Sequence, residues 1–310
     1  MKAILLRVGI DKSYGALSPV WGDYTFKYIP IYYKDIKAKE KKENRTYKHL
    51  GLEYYLPAKI RKKKVHLDPE LKTFTYGEPG KVKRSTLLNL KKDDLLVFYL
   101  GGETQEEPIE IGCYIFAYFV VKRVYNWNEM NEKERKEAEK TCKENAHIRS
   151  SKSKENLVIV KGSSESKLLK MCIPISEENK NSRNPRYRAS EEMKKFIGIR
   201  DSITRAVPII INEEMNVENL KNLLGISKFD PEDYEGKIPL TLFFRIIDEE
   251  KRLKSNEKLY LKNFMMSKGS DYREACDNFG LDVFQIGGYK NTDLMEEYFM
   301  KYFKLLPSNY

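Results

Sequence analysis

The chain has 310 residues, of which 41% are apolar and 12% aromatic, enough for one large domain or two ordinary ones. This composition predicts packed cores and excludes a chain that is disordered throughout. Lysine and arginine outnumber aspartate and glutamate by 57 to 46, and the resulting formal charge of +11 favours polyanionic partners, nucleic acid before a membrane surface.

The cysteines and histidines argue against two further classes. The four cysteines are scattered without a CxxC spacing, which excludes a disulfide scaffold in so long a chain. None of the three histidines lies at ligand spacing from another histidine or cysteine, so we expect no metal and no cofactor. The apolar run in MKAILLRVGID is too short for a signal peptide or a membrane span. We therefore expect a soluble, cytoplasmic protein without membrane contact.

The first third of the chain predicts strands separated by charged loops. Lys2 to Ile10 has the pattern of a strand, turn residues follow it, and a loop with Pro19 and Trp21 comes next. The aromatic segment from Tyr24 to Tyr33 contains Pro30, which restricts it to an edge strand or to two short pieces. Residues 34–48 predict a solvated loop or a frayed helix, and TFTY at 73–76 predicts a short strand.

The middle of the chain predicts a long hairpin. Leu95 to Leu100 and Ile111 to Tyr125 are apolar runs joined by the polar loop GGETQEEPIE. Both faces of the first run are apolar, which is typical of a strand covered on both sides. A surface helix over 129–145, a strand from Leu157 to Val160 and a helix around 165–170 complete this part.

The last third predicts more helix than strand. Helical patterns occupy 191–197, 217–224 and 294–305, and strand-like pieces occupy 207–211, 239–247 and 281–286. The fold class is therefore α+β, with a mostly antiparallel sheet or small barrel and added helices. The polar, Pro-broken segment 177–189 predicts a boundary between a first domain at 1–180, which carries a Lys-rich insertion at 34–64, and a helix-rich region at 190–310 packed on it.

Candidate binding groups lie in one basic run and in several loops. The run from Arg61 through Lys62 and Lys63 to Lys64 can neutralise phosphates, although a solvated charged surface fits it equally well. The loops RVGIDKSYG, HLDPELKTFTYGEP and NAHIRSS mix cations, carboxylates, imidazoles and phenols at strand ends, where sheets place binding groups, although ordinary turns also use such residues. No GxxxxGK[ST], GxGxxG, GxSxG or HExxH motif is present.

Two resemblances extend this interpretation. The hairpin LKKDDLLVFYLGGE with GCYIFAYFVVKRVYNW is similar to the central hairpin of EVE and other PUA-like domains. RVGIDKSYG, HLDPELKTFTYGEPG, KKDDLLVFYLGG, ENAHIRSSKSKENLVIVKG and LLKMCIPIS, in this order, resemble the third type of nucleotide-modification-associated domain over residues 1–176. The resemblance implies a PUA-like β-barrel that reads a modified base in DNA or RNA after base flipping.

The loop compositions and the two resemblances together supply candidate nucleotide-binding residues, taken from three loops and from the end of the first hairpin strand. They are Arg7, Asp11, Tyr14, His66, Asp68, Tyr76, Tyr99, Gly101, His147 and Arg149. Tyr99 has a competing interpretation as a core residue, because both faces of its strand are apolar.

Three functions stay open at the level of sequence. The leading hypothesis is a non-enzymatic protein that binds nucleic acid and recognises a modified or flipped nucleotide in an aromatic pocket. The alternative is an enzyme acting on nucleic acid, a nuclease or a base-modifying activity, that uses Asp11, His66, Asp68 and Glu70. The third is an interaction module whose aromatic residues are all core.

Overall fold

The computed structural model describes residues 1–21, 24–33, 45–106, 109–150, 154–178 and 187–227. The strands in these residues are β1 Ala3–Arg7, β2 Ser18–Val20, β3 Thr75–Glu78, β4 Leu95–Thr104, β5 Ile111–Asn126, β6 Val158–Gly162, β7 Lys167–Pro174, β8 Ser176–Glu178, β9 Tyr187–Ala189, β10 Ser202–Ile203 and β11 Ile209–Ile211. The α-helices are α1 Ala58–Arg61, α2 Lys81–Leu87, α3 Glu132–Thr141, α4 Ala146–Arg149, α5 Glu191–Ile197 and α6 Glu214–Leu224. Single 3-10 turns occupy Lys12–Tyr14, Lys48–Leu50 and Glu53–Tyr55.

The main sheet is mixed. Its strand order is β11-β1-β4-β5-β6-β3, with β2 also paired to β4 and β7 also paired to β5, while β10, β9 and β8 form a separate small sheet. In the main sheet β4 runs parallel to β1 and to β2, and the other pairs are antiparallel. The fold is therefore α+β, as predicted. Within the described ranges no pairing joins β11 to β3, so no closed barrel is seen.

The predicted hairpin is confirmed as β4 and β5. Leu95 pairs with Val120 at one end and Glu103 with Ile111 at the other, with a register shift between Phe98 and Tyr99. The first eight residues of β4 are buried, which agrees with the two apolar faces of its sequence. β4 therefore sits at the centre of the sheet, with β1 on one side and β5 on the other.

Two local predictions were wrong, and a third had two alternatives of which the structure supports one. Residues 167–170 of the predicted helix at 165–170 begin β7, because their backbone pairs with β5, where Leu168 lies opposite Ala117. The segment from Tyr24 to Tyr33 forms isolated bridges at Phe26 and Tyr32, which agrees with two short pieces instead of an edge strand. Residues 18–20, expected to lie in a loop, form β2 because Ser18 pairs with Gly102 at the glycine-rich end of β4.

A second, smaller core lies beside the main one. Residues from 45 to 65 pack Tyr47, Leu52, Leu56 and Ile60 against Ile10 and Ile29, which come from the first part of the chain. Tyr47 is fully buried, and its hydroxyl donates to the carbonyl of Pro30 over 2.7 Å. The described part of the expected Lys-rich insertion is thus a packed structure, while residues 34–44 lie outside the described residues.

The C-terminal elements agree in part with prediction. α5 and α6 lie where helices were expected, and β11 lies within the expected strand at 207–211. The chain divides into one unit of residues 1–190 and 198–217 and another of 191–197 and 218–310. In the second unit Asn219 donates to the carbonyl of Phe196 over 2.8 Å. The elements predicted after residue 227 lie outside the described residues, and the proposed boundary near 180–190 stays a prediction.

Candidate functional site

Asp68 is the anchor of the candidate site. It lies in the loop before β3, and 8% of the residue is exposed. Its Oδ1 accepts hydrogen bonds from the backbone N–H of Gly77 at 2.9 Å and from Nδ2 of Asn145 at 3.1 Å. Its Oδ2 lies 3.3 Å from Nε2 of His147. The two donors therefore fix the carboxylate with its second oxygen directed at an imidazole.

His147 is held by local features of the chain. It lies in the four-residue helix α4, whose N-cap Asn145 accepts a hydrogen bond from the His147 backbone N–H at 2.9 Å. A Cβ at Gly77 would lie 2.6 Å from Cδ2 of His147, so only glycine leaves room for the ring at this position of β3. Asn145 is fully buried and joins the backbone of α4 to Asp68.

His66 completes a group of three potential ligands. Its ring centroid lies 4.7 Å from that of His147, in an edge-to-face arrangement, and 4.8 Å from that of Tyr33. His66, Asp68 and His147 each offer one ligand atom, and these three atoms lie within 4.8 Å of one another. Two imidazoles and one carboxylate are a donor set that suits first-row transition metals, so these residues could hold such an ion. We call them the His–Asp cluster.

A second group of polar residues follows the end of β1. Arg205 donates to Oδ2 of Asp11 at 2.7 Å and to the carbonyl of Gly9 at 2.9 Å, and its guanidinium lies 5.6 Å from the ring centroid of Tyr14. Burial of Asp11 acts to raise its pKa, but hydrogen bonds from Ser13 and the charge of Arg205 outweigh it. The pKa of Asp11 is therefore lowered, and this carboxylate is held in its charged form.

Arg7 is a buried cation in the same group. It is 7% exposed, its guanidinium carbon lies 4.6 Å from the ring centroid of Tyr187, and its Nε has no hydrogen-bond acceptor among the described residues. A Cβ at Gly101 would lie 2.5 Å from a terminal nitrogen of Arg7. The first glycine after Tyr99 and Leu100 therefore provides space for an arginine side chain from the neighbouring strand β1.

Tyr28 and Lys83 connect the two groups. Tyr28 donates to the backbone carbonyl of Asp68 at 3.2 Å and stacks on Phe116 with 4.5 Å between ring centroids. Lys83, on α2, lies 3.4 Å from the carbonyl of Arg7. Burial lowers the pKa of Lys83, Glu78 raises it, and Arg205 and Asp68 act on it in opposite directions. The Tyr28 ring also lies against Gly9, where a Cβ would be 2.6 Å from Cε2, so this tyrosine joins the loop that holds Asp68 to the end of β1.

The side chains of the remaining predicted site residues are engaged in the core or in an ion pair. Tyr99 is fully buried, and its hydroxyl donates to the carbonyl of Thr204 at 3.3 Å. Tyr76 is also in the core and donates to Oε2 of Glu78 at 2.9 Å. Arg149 forms an ion pair with Glu144 at 3.0 Å. The structure therefore brings the two imidazoles and Asp68 together, while Tyr99 and Tyr76 are core residues and Arg149 is held in an ion pair.

The two other groups singled out in the sequence have different environments. The carboxylate of Glu70 accepts hydrogen bonds from the backbone N–H groups of Lys72 and Thr73, so it stabilises its own turn. In the basic run, Arg61, Lys62 and Lys63 are exposed and Lys64 is half-buried. The run ends at Lys64, two residues before His66, so positive charge directly precedes the first residue of the His–Asp cluster in the sequence.

Four residues of the region had no predicted role: Tyr28, Lys83, Asn145 and Arg205. Asn145 carried a usable signal, since an asparagine before a short apolar-polar run is typical of an N-cap. The positions of the other three depend on packing between distant segments, which a single sequence does not show.

The observed elements define an α+β protein with a mixed central sheet and a His–Asp cluster formed by the loop before β3 and the short helix α4. The chain belongs to the family described as nucleotide modification associated domain 3, whose model matches residues 2–200. This confirms the family resemblance and associates the chain with nucleotide modification. No curated protein and no solved structure matches the chain. No helix in the described ranges has the length and apolar character to cross a membrane.

Proposed function

We propose that the protein binds nucleic acid and recognises a modified or flipped nucleotide at the region around the His–Asp cluster. The observation that carries the proposal is the meeting of the loop before β3 with the short helix α4, which brings ligand atoms of His66, Asp68 and His147 within 4.8 Å of one another. The family description and the formal charge of +11 support the same partner.

The phosphate contacts are assigned to the exposed side of the 45–65 segment. Arg61, Lys62 and Lys63 are exposed there, and Tyr54, which is 80% exposed, lies in the preceding 3-10 turn. Cations with an exposed aromatic residue suit a nucleic-acid strand, because phosphates are neutralised by counterion release and a base stacks on the ring. Each stacked base contributes roughly 1–3 kcal/mol.

The base is assigned to half-buried rings instead of Tyr99. Tyr14 and Tyr33 are each partly exposed, and Tyr33 lies against His66. The proposal takes the binding mode to be PUA-like, with one base removed from the stack at a cost of a few kcal/mol, which stacking and hydrogen bonds recover. His147, whose side chain is 21% exposed, supplies a ring nitrogen for the edge of that base, and the shielded Asp68 orients the imidazole.

Fluorescence anisotropy with modified and unmodified duplexes of one sequence, over a series of salt concentrations, tests the proposal. We expect tighter binding of a modified duplex and a steep loss of affinity with salt. Replacing Lys62 and Lys63 by alanine should reduce the salt slope by up to about 1.8, while the same change at Lys133 and Lys136, exposed on α3, should leave it unchanged.

The variant His147→Gln separates recognition from phosphate binding. It should abolish the preference for the modified duplex and retain the salt-dependent affinity. If the parent and this variant both bind every modified and unmodified duplex with equal affinity, the protein binds only phosphates, and the proposal is contradicted.

The Asp68–His147 contact favours a second candidate, an enzyme that acts on the bound nucleotide. A carboxylate 3.3 Å from an imidazole is an arrangement that orients a general base. Asp11 and Glu70 are engaged by Arg205 and by a backbone turn, so this candidate uses His66, Asp68 and His147. Incubation with modified oligonucleotides, followed by mass spectrometry of the products, tests it: intact substrate after prolonged incubation rejects it.

A further inference from the structure

We infer that the His–Asp cluster is a binding site for a divalent transition metal of the zinc class. His66, Asp68 and His147 each offer one ligand atom, and these three atoms lie within 4.8 Å of one another. Nitrogen and oxygen donors in this combination suit Zn²⁺, and three protein ligands leave at least one coordination position for another molecule.

The closest pair already has the separation of two ligands on one ion. With Zn–N and Zn–O distances near 2.0–2.2 Å, two ligands at a tetrahedral angle lie about 3.4 Å apart. Nε2 of His147 and Oδ2 of Asp68 are 3.3 Å apart. The widest pair in the cluster, at 4.8 Å, would need to close by about 1.4 Å. Because Asp68 and His147 already have the separation of two ligands, the half-buried His66 is the residue that would move.

The residues around Asp68 orient its carboxylate in the way that neighbouring residues orient the carboxylate ligands of bound metals. Metal-ligating carboxylates are commonly held by hydrogen bonds from a second layer of residues. The Oδ1 atom of Asp68 receives two donors, from Gly77 and Asn145, and Oδ2 faces the imidazole. Because Asn145 also caps the helix that carries His147, one buried residue positions two of the three ligands.

The site is partly open. The side chain of His147 is 21% exposed and that of Asp68 is 5% exposed. An ion can therefore reach the imidazole side while the carboxylate stays shielded. If the proposed function holds, the open coordination position takes a phosphate oxygen or a base heteroatom of the bound nucleotide. The metal site itself does not depend on that function, and it is tested without nucleic acid.

The test is titration of the purified full chain with Zn²⁺ by calorimetry, and with Co²⁺ by visible absorption, in a Cys276→Ser background that removes the thiol lying outside the described residues. We expect one ion per chain and a Co²⁺ spectrum of nitrogen and oxygen ligation. His147→Gln and His66→Ala should each weaken binding by at least about tenfold. His49→Ala changes the exposed third histidine and should bind as the parent does.

Melting temperature gives a second measurement, because an ion that binds only the folded state stabilises it. Zn²⁺ should raise the melting temperature of the parent and of His49→Ala, and should leave that of His147→Gln unchanged. Absence of stoichiometric binding, or binding that His49→Ala removes and His147→Gln does not, overturns the inference. If a substitution prevents folding, the Co²⁺ spectrum of the parent decides alone: sulfur ligation or no spectrum rejects the site.

Discussion

Replacing Asn145 by alanine should destabilise the protein more than the same substitution at an exposed asparagine. Asn145 is fully buried, caps α4 and donates to the carboxylate of Asp68. Loss of an N-cap costs about 1 kcal/mol. Loss of a hydrogen bond to a charged group costs about 1.5–3 kcal/mol, and here it leaves one donor fewer on a buried carboxylate. We expect the free energy of unfolding to fall by about 3 kcal/mol.

Urea unfolding followed by circular dichroism measures this change, provided that the slope with urea is the same in parent and variant. Asn89→Ala is the matched control, because that side chain is exposed and makes one hydrogen bond, to the carbonyl of Ser85. We expect it to stay within about 0.5 kcal/mol of the parent. Asn145→Ser keeps a capping oxygen without the amide donors, so it should recover about 1 kcal/mol. A loss below about 1 kcal/mol for Asn145→Ala would refute the role assigned to this residue.

Three further predictions concern other parts of the first unit. Because the pKa of Asp11 is lowered, its carboxylate stabilises the folded state at pH values above its ordinary pKa of 3.8, and this stability is lost as the pH falls through the folded-state pKa. Arg205→Met should reduce this acid dependence and lower the free energy of unfolding by about 1–3 kcal/mol, as measured by unfolding at a series of pH values. Gly101→Ala should cost about 1–3 kcal/mol, because its Cβ would displace the terminal nitrogen of an Arg7 side chain that is buried and packed over the Tyr187 ring; a stability equal to the parent's in urea would contradict this packing. Burial raises the pKa of Cys113 to about 11, so site-resolved mass spectrometry should find it unmodified by iodoacetamide at pH 8 until urea unfolds the chain.

The central part of the fold was predictable because its signals are local. β4 and β5 are long apolar runs that only burial explains, and α5 begins and ends where its pattern predicted. The segment at 165–170 shows the limit of such signals. Its sequence contains helix formers, but pairing with β5 satisfies its backbone in an extended form, and tertiary context outweighs helix propensity.

The end of β4 illustrates a different limit. A tyrosine followed at short distance by two glycines fits the mouth of a binding site and also a packed strand end. The structure shows what the glycines contact: Gly101 approaches Arg7, and Gly102 approaches Val20 and Tyr114. Which neighbour occupies the space beside a glycine depends on strand order, and the parallel pairing of β1 with β4 was not part of the sequence prediction.

The three candidate segments could be picked out from the sequence, but the short helix α4 in the third and the arrangement of all three could not. His66 and His147 are far apart in the chain, so spacing rules for metal ligands gave no signal. Their meeting depends on β3, which pairs with β6 and carries Gly77 between the two loops. A single backbone N–H at Gly77 and a single amide at Asn145 then orient Asp68. The chemistry of the region therefore follows from two residues that carry no reactive group themselves, and Asn145→Ala should weaken metal binding even in molecules that stay folded.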